Sequence, residues 1–250
     1  MLSAIEQLLQ PAECLVCRRL LSFRLAYRVV CDVCRHRWRP VRAPWCDRCG
    51  QPEPHFGSCR LCAAWPEALV RARSAVWLEP EAREVVHALK YAGLGRAADD
   101  MADAMARHLA RPAPGSVLVP VPLAPRRERR RGYNQSARLA SSLGARWEIP
   151  VRADLLVRTR ETGTQTALTP DARLANVAGA FQMRIEEGGS RIGRPSGQSA
   201  IRNPQSPIVL VDDVFTTGAT LAECARPFAA AGHARIEAVT FGRAVIPDFT

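Results

Sequence analysis

From about residue 70 onward the chain alternates continuous apolar runs with segments whose apolar residues recur at helical spacing. Residues 81–93, "EAREVVHALKYAG", predict a helix stopped near Gly93, and residues 96–110 predict a second, broken by "RPAPG". "SVLVPVPL" (116–123) reads as a buried strand with proline at its far end. A basic loop, "APRRERRRG", leads into a helix over 133–144, and a further apolar segment spans 151–157. "SPIVLVDDV" is another continuous buried strand. The helix after it reaches toward Gly232, with a kink or an early end expected at Pro227, and "RIEAVTFGRA" predicts a last strand. Buried strands alternating with helices specify an α/β fold with a parallel sheet. Sheets of that kind bind ligands at the carboxyl ends of their strands.

The first 70 residues follow no such pattern. They hold eight of the nine cysteines as four CxxC pairs: Cys14/Cys17, Cys31/Cys34, Cys46/Cys49 and Cys59/Cys62. A CxxC turn converges two thiolates on one tetrahedral metal, and two such knuckles joined by a hairpin make a Cys₄ zinc ribbon. The gaps fit two consecutive ribbons, although spacing alone leaves interleaved pairing open. Gly50, just after "CDRC", sits where a left-handed residue is needed. Four pairs in a row do not suit a thioredoxin-like redox site, and disulfides conflict with the cytoplasmic setting expected of this chain. Two structural Zn²⁺ ions are therefore expected, with His36 and His55 as bystanders. A segment this poor in apolar residues cannot fold on its core alone. Trp38, Trp45 and Trp65 supply either that scant core or a stacking face for nucleic acid. The expected division is a double zinc-ribbon domain over 1–70 and an α/β domain over 71–250, in which the Gly/Ser/Pro-rich stretch 186–207 is a mobile surface loop.

No apolar run approaches the roughly 20 residues that span a bilayer. The formal charge of +11 points toward a polyanionic partner. Metal binding by eight thiolates would lower that charge by about 4, so the basic balance is only moderate. Among 35 basic residues, Lys90 is the only lysine. Against a background so rich in arginine, it marks either a site that needs a compact ammonium or a chance survival.

The chemistry concentrates in "IVLVDDVFTTGAT" (208–220). Thr216, Thr217, Gly218, Ala219 and Thr220 offer backbone N–H groups and hydroxyls at a helix start, a cup for a monophosphate. Asp212 and Asp213 repel phosphate but accept hydrogen bonds from the vicinal hydroxyls of a sugar. A ribose 5-phosphate meets both requirements. No Walker A pattern is present to suggest a nucleoside triphosphatase.

This stretch resembles the phosphoribosyl-pyrophosphate (PRPP) signature of type I phosphoribosyltransferases. With the four CxxC pairs, "VPVPL…RRGYNQ" (119–135) and "RTRETGTQTALTPDARLANVAGAF" (158–181), the likeness narrows to the ComF (competence protein F) family. Tyr133 stands where that family commonly has Phe. The resemblance implies a type I phosphoribosyltransferase fold after the ribbons, with Asp212 and Asp213 as the catalytic pair on the ribose hydroxyls and residues 216–220 on the 5-phosphate. It implies Mg²⁺ with PRPP, and Lys90, Arg131, Asn134 and Gln135 as candidates for diphosphate or acceptor contact. Arg126, Arg127, Arg129 and Arg130 add positive field. Gln165, Arg173 and Asn176 form either a hood over the acceptor or a contact with the zinc module. Cys224 is expected as a small buried residue. The implied activity is phosphoribosyl transfer, or non-catalytic PRPP sensing, and the implied partners are single-stranded DNA and the competence machinery.

Overall fold

The computed structural model describes residues 11–25, 27–52, 59–161, 176–184 and 206–244. His55, Gln165, Arg173 and residues 186–205 lie outside the described residues. The strands are β1 (Leu69–Trp77), β2 (Val117–Pro120), β3 (Leu156–Arg158), β4 (Phe181–Met183), β5 (Ile208–Phe215) and β6 (Ile236–Arg243). The helices are α1 (Asp32–His36), α2 (Pro80–Tyr91), α3 (Ala97–His108), α4 (Pro125–Arg131), α5 (Gln135–Trp147) and α6 (Ala219–Ala230). Four strands form one parallel sheet in the order β1–β6–β5–β2, while β3 and β4 form a small antiparallel pair.

Side chains alternate across this sheet, which divides the core in two. On one face Leu118, Val209, Val211, Val239 and Phe241 pack with α2, α3 and α5 through Leu89, Met101, Met105, Leu139 and Leu143. On the other, Val119, Ile208, Leu210 and Ala238 pack with α6 and the β3–β4 pair through Leu221, Phe228, Leu156 and Phe181. The cysteine-rich segment joins both. Cys14, Cys31 and Cys34 belong to the first core, and Cys49 and Cys62 to the second. The linker between them covers the outer edge of β1, where Val41 N–H donates to Ala75 O (3.1 Å) and Trp77 N–H to Arg39 O (2.8 Å). Without that cover, β1 would offer an unpaired edge to other chains.

Two expectations change. "APRRERRRG" is a helix rather than a loop. Pro125 sits in its first turn, where no N–H is needed, and Gly132 closes it in a left-handed conformation. Nor does α6 end at Pro227. That residue lies in the last turn, so the helix runs on to Ala230 at the cost of one internal hydrogen bond. Among the described residues, no helix is long and apolar enough to cross a membrane.

The first tetra-Cys segment is locked to α3 by charge. Asp100, fully buried, accepts the N–H groups of Val29 (2.9 Å) and Val30 (3.1 Å) and pairs with Arg28 (2.8 Å). Asp103 takes Arg35 (3.1 Å), Arg28 and Arg146. Removing a partner from a buried ion network costs about 3–5 kcal/mol. Asp100→Ala is expected to lower stability by about that amount, whereas the exposed Asp32→Ala should cost under about 1 kcal/mol. Urea midpoints of the two zinc-loaded variants check this.

Candidate functional site

Strand β5 does not stop at its carboxylates. It carries Asp212 and Asp213 inside its hydrogen-bonded length and ends at Phe215. Asp213 is buried, and Lys90 near the end of α2 reaches it, with Nζ 2.5 Å from Oδ2. The contact is an ion pair between a buried carboxylate and a largely enclosed ammonium. Burial on its own would raise the pKa of Asp213, but the Lys90 ammonium overrides it and holds the group below its usual range. The pairing likewise lifts Lys90 against the pull of burial. Lys90 thus meets the carboxylate pair. A compact ammonium suits the place better than a planar guanidinium.

Asp212 is half-buried. Its Oδ1 accepts Ser136 Oγ (2.8 Å) and the Asp213 N–H (2.9 Å). Its Oδ2 accepts no hydrogen bond among the described residues. Burial first, and the neighbouring Asp213 charge second, push Asp212 up to about 7. The two acids are therefore unequal: one is held ionised and enclosed, and the other titrates near neutrality with an oxygen to spare.

Immediately beyond β5, Gly218 at φ 76° caps α6, with no side chain closing the helix start. The first-turn N–H groups have no partner within the helix. Thr217 is buried, its Oγ1 3.4 Å from the Ala219 N–H, and Thr216 and Thr220 are half-buried. Residues 216–220, which the sequence led one to expect as an anion cup, lie at this helix start. A Cβ on Gly218 would run into the Trp65 ring and come within 3.0 Å of the Phe215 ring.

The β2 exit lies alongside, since Val121 N–H donates to Val211 O (2.9 Å). Asn134 and Gln135 spend their amides locally. Asn134 caps α5 by accepting Ser136 N–H (2.9 Å), and it donates to Val121 O (3.0 Å). Buried Gln135 accepts from Arg131, whose guanidinium also lies over Tyr91 at 5.3 Å. The Tyr133 hydroxyl donates to Leu89 O beside Lys90, a bond that Phe could not make. Arg126, Arg129 and Arg130 are exposed on α4.

The thiols form two sequential groups, Cys14/Cys17/Cys31/Cys34 and Cys46/Cys49/Cys59/Cys62, each with its sulfurs within 4.8 Å of one another. Sulfurs about 2.3 Å from a tetrahedral zinc stand about 3.8 Å apart. The measured separations are 3.7 Å (Cys17–Cys31), 3.8 Å (Cys46–Cys62) and 3.5 Å (Cys49–Cys59). Donor set and spacing both fit structural zinc. His36 instead bonds Asp32 O through Nδ1 (2.7 Å), and Gly50 has φ 69°, with Ala72 O only 3.2 Å from where a Cβ would sit.

Residues 5–63 match the double zinc ribbon domain family. The whole chain is similar to the DNA utilization protein YhgH of Salmonella typhimurium, at 31% identity over 238 residues, covering 91% of this chain and 95% of that protein. The chain belongs to the ComF family. It is also similar to competence protein F of Haemophilus influenzae (32% over 127 residues, 51% of this chain and 50% of that protein). Competence protein ComFC of Bacillus subtilis is 25% identical over 230 residues, covering 85% of this chain and 87% of that protein. The ComF relatives are thus competence and DNA utilization proteins.

Sequence reasoning missed three residues of this ComF site. Ser136 was detectable only as the residue two beyond an N-cap asparagine. Arg158, on β3 over Phe181 (5.2 Å), lies within electrostatic range of Asp212 and Arg127, and burial, then Arg127, lowers its pKa. Arg243, 2% exposed, donates to Cys49 O (3.0 Å) and Gln51 Oε1 (2.8 Å). One arginine among 34 carries no local signal. Asn176 is half-buried, and its backbone oxygen accepts Arg160 (3.1 Å).

A carboxyl that titrates higher folded than unfolded binds more protons when folded. Stability conferred by Asp212 therefore falls as pH rises from about 4 to about 7, with Asp213, Lys90 and Arg158 as its charged neighbours. Asp212→Asn is expected to flatten that slope and to stabilise the protein at pH 8 by about 1 kcal/mol or more. Denaturant unfolding of both proteins across this range measures it.

Proposed function

We propose that this chain binds PRPP with Mg²⁺ and transfers the phosphoribosyl group to an acceptor, in service of DNA uptake and natural transformation. The carrying observation is the meeting, at one end of β5, of a carboxylate with an oxygen to spare and the glycine-capped start of a helix. The amides and hydroxyls of residues 216–220 hold the 5-phosphate. Asp212 Oδ2 accepts from the ribose hydroxyls, with Asp213 behind it. Because Lys90 neutralises Asp213, the pair brings close to one negative charge, rather than two, up to a substrate already rich in phosphate.

The bond from the anomeric carbon to the diphosphate oxygen breaks and one to the acceptor forms, through a centre of oxocarbenium character. Pyrophosphate leaves with the bonding pair. Carboxylate and diphosphate oxygens suit Mg²⁺, which when bound neutralises charge on the departing group. Arg126, Arg129 and Arg130 draw the polyanion in. The chain works in the cytoplasm, where its thiols stay reduced, and residues 1–70 serve as the metal module for a ligand-binding unit over 71–250.

Calorimetric titration of the zinc-loaded protein with PRPP and Mg²⁺ tests this. Binding is expected in the wild type and lost by at least about tenfold in Asp212→Asn/Asp213→Asn. No binding by a folded wild type would overturn the reading.

The exposed arginines of α4 support a second reading, binding of single-stranded DNA without turnover. It calls for an affinity that falls steeply with salt and weakens when Arg126, Arg129 and Arg130 are replaced by Gln, measured by fluorescence anisotropy. An affinity unchanged by those replacements would exclude the patch.

A further inference from the structure

The two ribbons touch different parts of the fold. The first is fixed to α3 by Arg28 and Arg35, and to the sheet by Trp38, whose ring meets Phe241 edge-on at 5.1 Å. The second reaches the anion cup. Trp65, three residues past Cys62 and 6% exposed, donates its N–H to Cys62 O (3.2 Å). Its ring lies where a Cβ on Gly218 would be, and its centroid is 6.1 Å from that of Phe215.

Arg48, inside the Cys46–Cys49 knuckle, grips this corner. It donates to Cys62 O (3.1 Å), Trp65 O (3.2 Å), Pro66 O (2.7 Å) and Leu69 O (3.2 Å). Phe215 is held by Arg243 as well, with the guanidinium 4.3 Å from the ring centroid. Arg243 meets no carboxylate among the described residues. Its guanidinium donates to Cys49 O and Gln51 Oε1, beside the second tetra-Cys group. Phe215 directly precedes the loop and Gly218 stands at its centre, so the loop rests at both points on groups fastened to the second tetra-Cys cluster.

We propose that Trp65, held by the second tetra-Cys group, is a positioning residue that keeps the 216–220 loop in its anion-binding conformation. The loop needs such a wall. Gly218 carries the greatest backbone freedom of any residue type, and no side chain caps the helix start. A bulky ring against the glycine removes that freedom before a ligand arrives, which lowers the cost of binding. Among the described residues, the first ribbon has no comparable contact with the loop. The ligand part of this inference rests on the phosphoribosyl reading above; the wall itself does not.

Amide hydrogen exchange on the zinc-loaded full chain separates the two. Peptides covering 215–222 are expected to exchange about tenfold faster in Trp65→Leu, with other core segments unchanged, and to return close to wild type in Trp65→Phe. Trp38→Leu, an equally buried tryptophan in the first ribbon, is the control. It should lower the urea midpoint without loosening the loop. Zinc content should stay at about two per chain in all three. If Trp65→Leu does not fold, Cys59→Ser removes a half-exposed ligand of the second group instead, and the same local loosening is expected. Loop exchange within about twofold of wild type in a folded variant of either kind would overturn the proposal. Ribose 5-phosphate is the binding probe, and its affinity should drop about tenfold in Trp65→Leu. Should the wild type bind neither it nor PRPP, the phosphoribosyl reading falls while the exchange result still decides the role of Trp65.

Discussion

Two neighbouring carboxylates at the inner end of a buried strand cannot both be charged without compensation. The site is organised around that constraint. Lys90 must come from α2 to ionise Asp213, and Ser136 from the first turn of α5 to satisfy one oxygen of Asp212. Both helices must then end or begin within a side chain's length of β5. The Tyr133 hydroxyl on Leu89 O and the Asn134 amide on Val121 O fasten these ends to one another. Scaffold and chemistry share the same few bonds here, so a change made to tune one is felt by the other.

The cysteine-rich segment solves a different problem by similar economy. Too poor in apolar residues to build a core, it lends its pieces to the two cores of the sheet, one group to each face. The linker hydrogen-bonds the exposed edge of β1 on the way across. The ribbons are better described as a clasp around the sheet's margin than as an appendage.

Much of this was legible because its causes are local. CxxC spacing marked the thiols of both tetra-Cys groups, while their sequential pairing, which spacing left open, came from the fold. Apolar periodicity located α2, α3, β2, β5 and β6 to within a few residues. What stayed hidden depends on partners distant in the chain. "APRRERRRG" has no apolar face, so its helix shows only through Pro125 and Gly132. Asn134 caps a helix and the Gln135 side-chain oxygen accepts from Arg131, local roles that the motif does not announce. The partner of Lys90 lies 123 positions away at Asp213. Arg243 looks like any other arginine until the fold buries it against Cys49.

The strand order has a consequence for how the protein is made. β6, the last of the described strands, lies between β1 and β5, and a buried hydrogen bond between Ser74 and Thr240 joins residues 166 positions apart. The middle of the sheet stays empty until β6 has left the ribosome. Contacts of such separation are slow to form, and unpaired strands invite aggregation while they wait. The ribbons precede β1 and need only metal to close. The first hundred residues can thus carry one folded flank and a covered outer edge, leaving the inner edge of β1 to be matched only when β6 emerges.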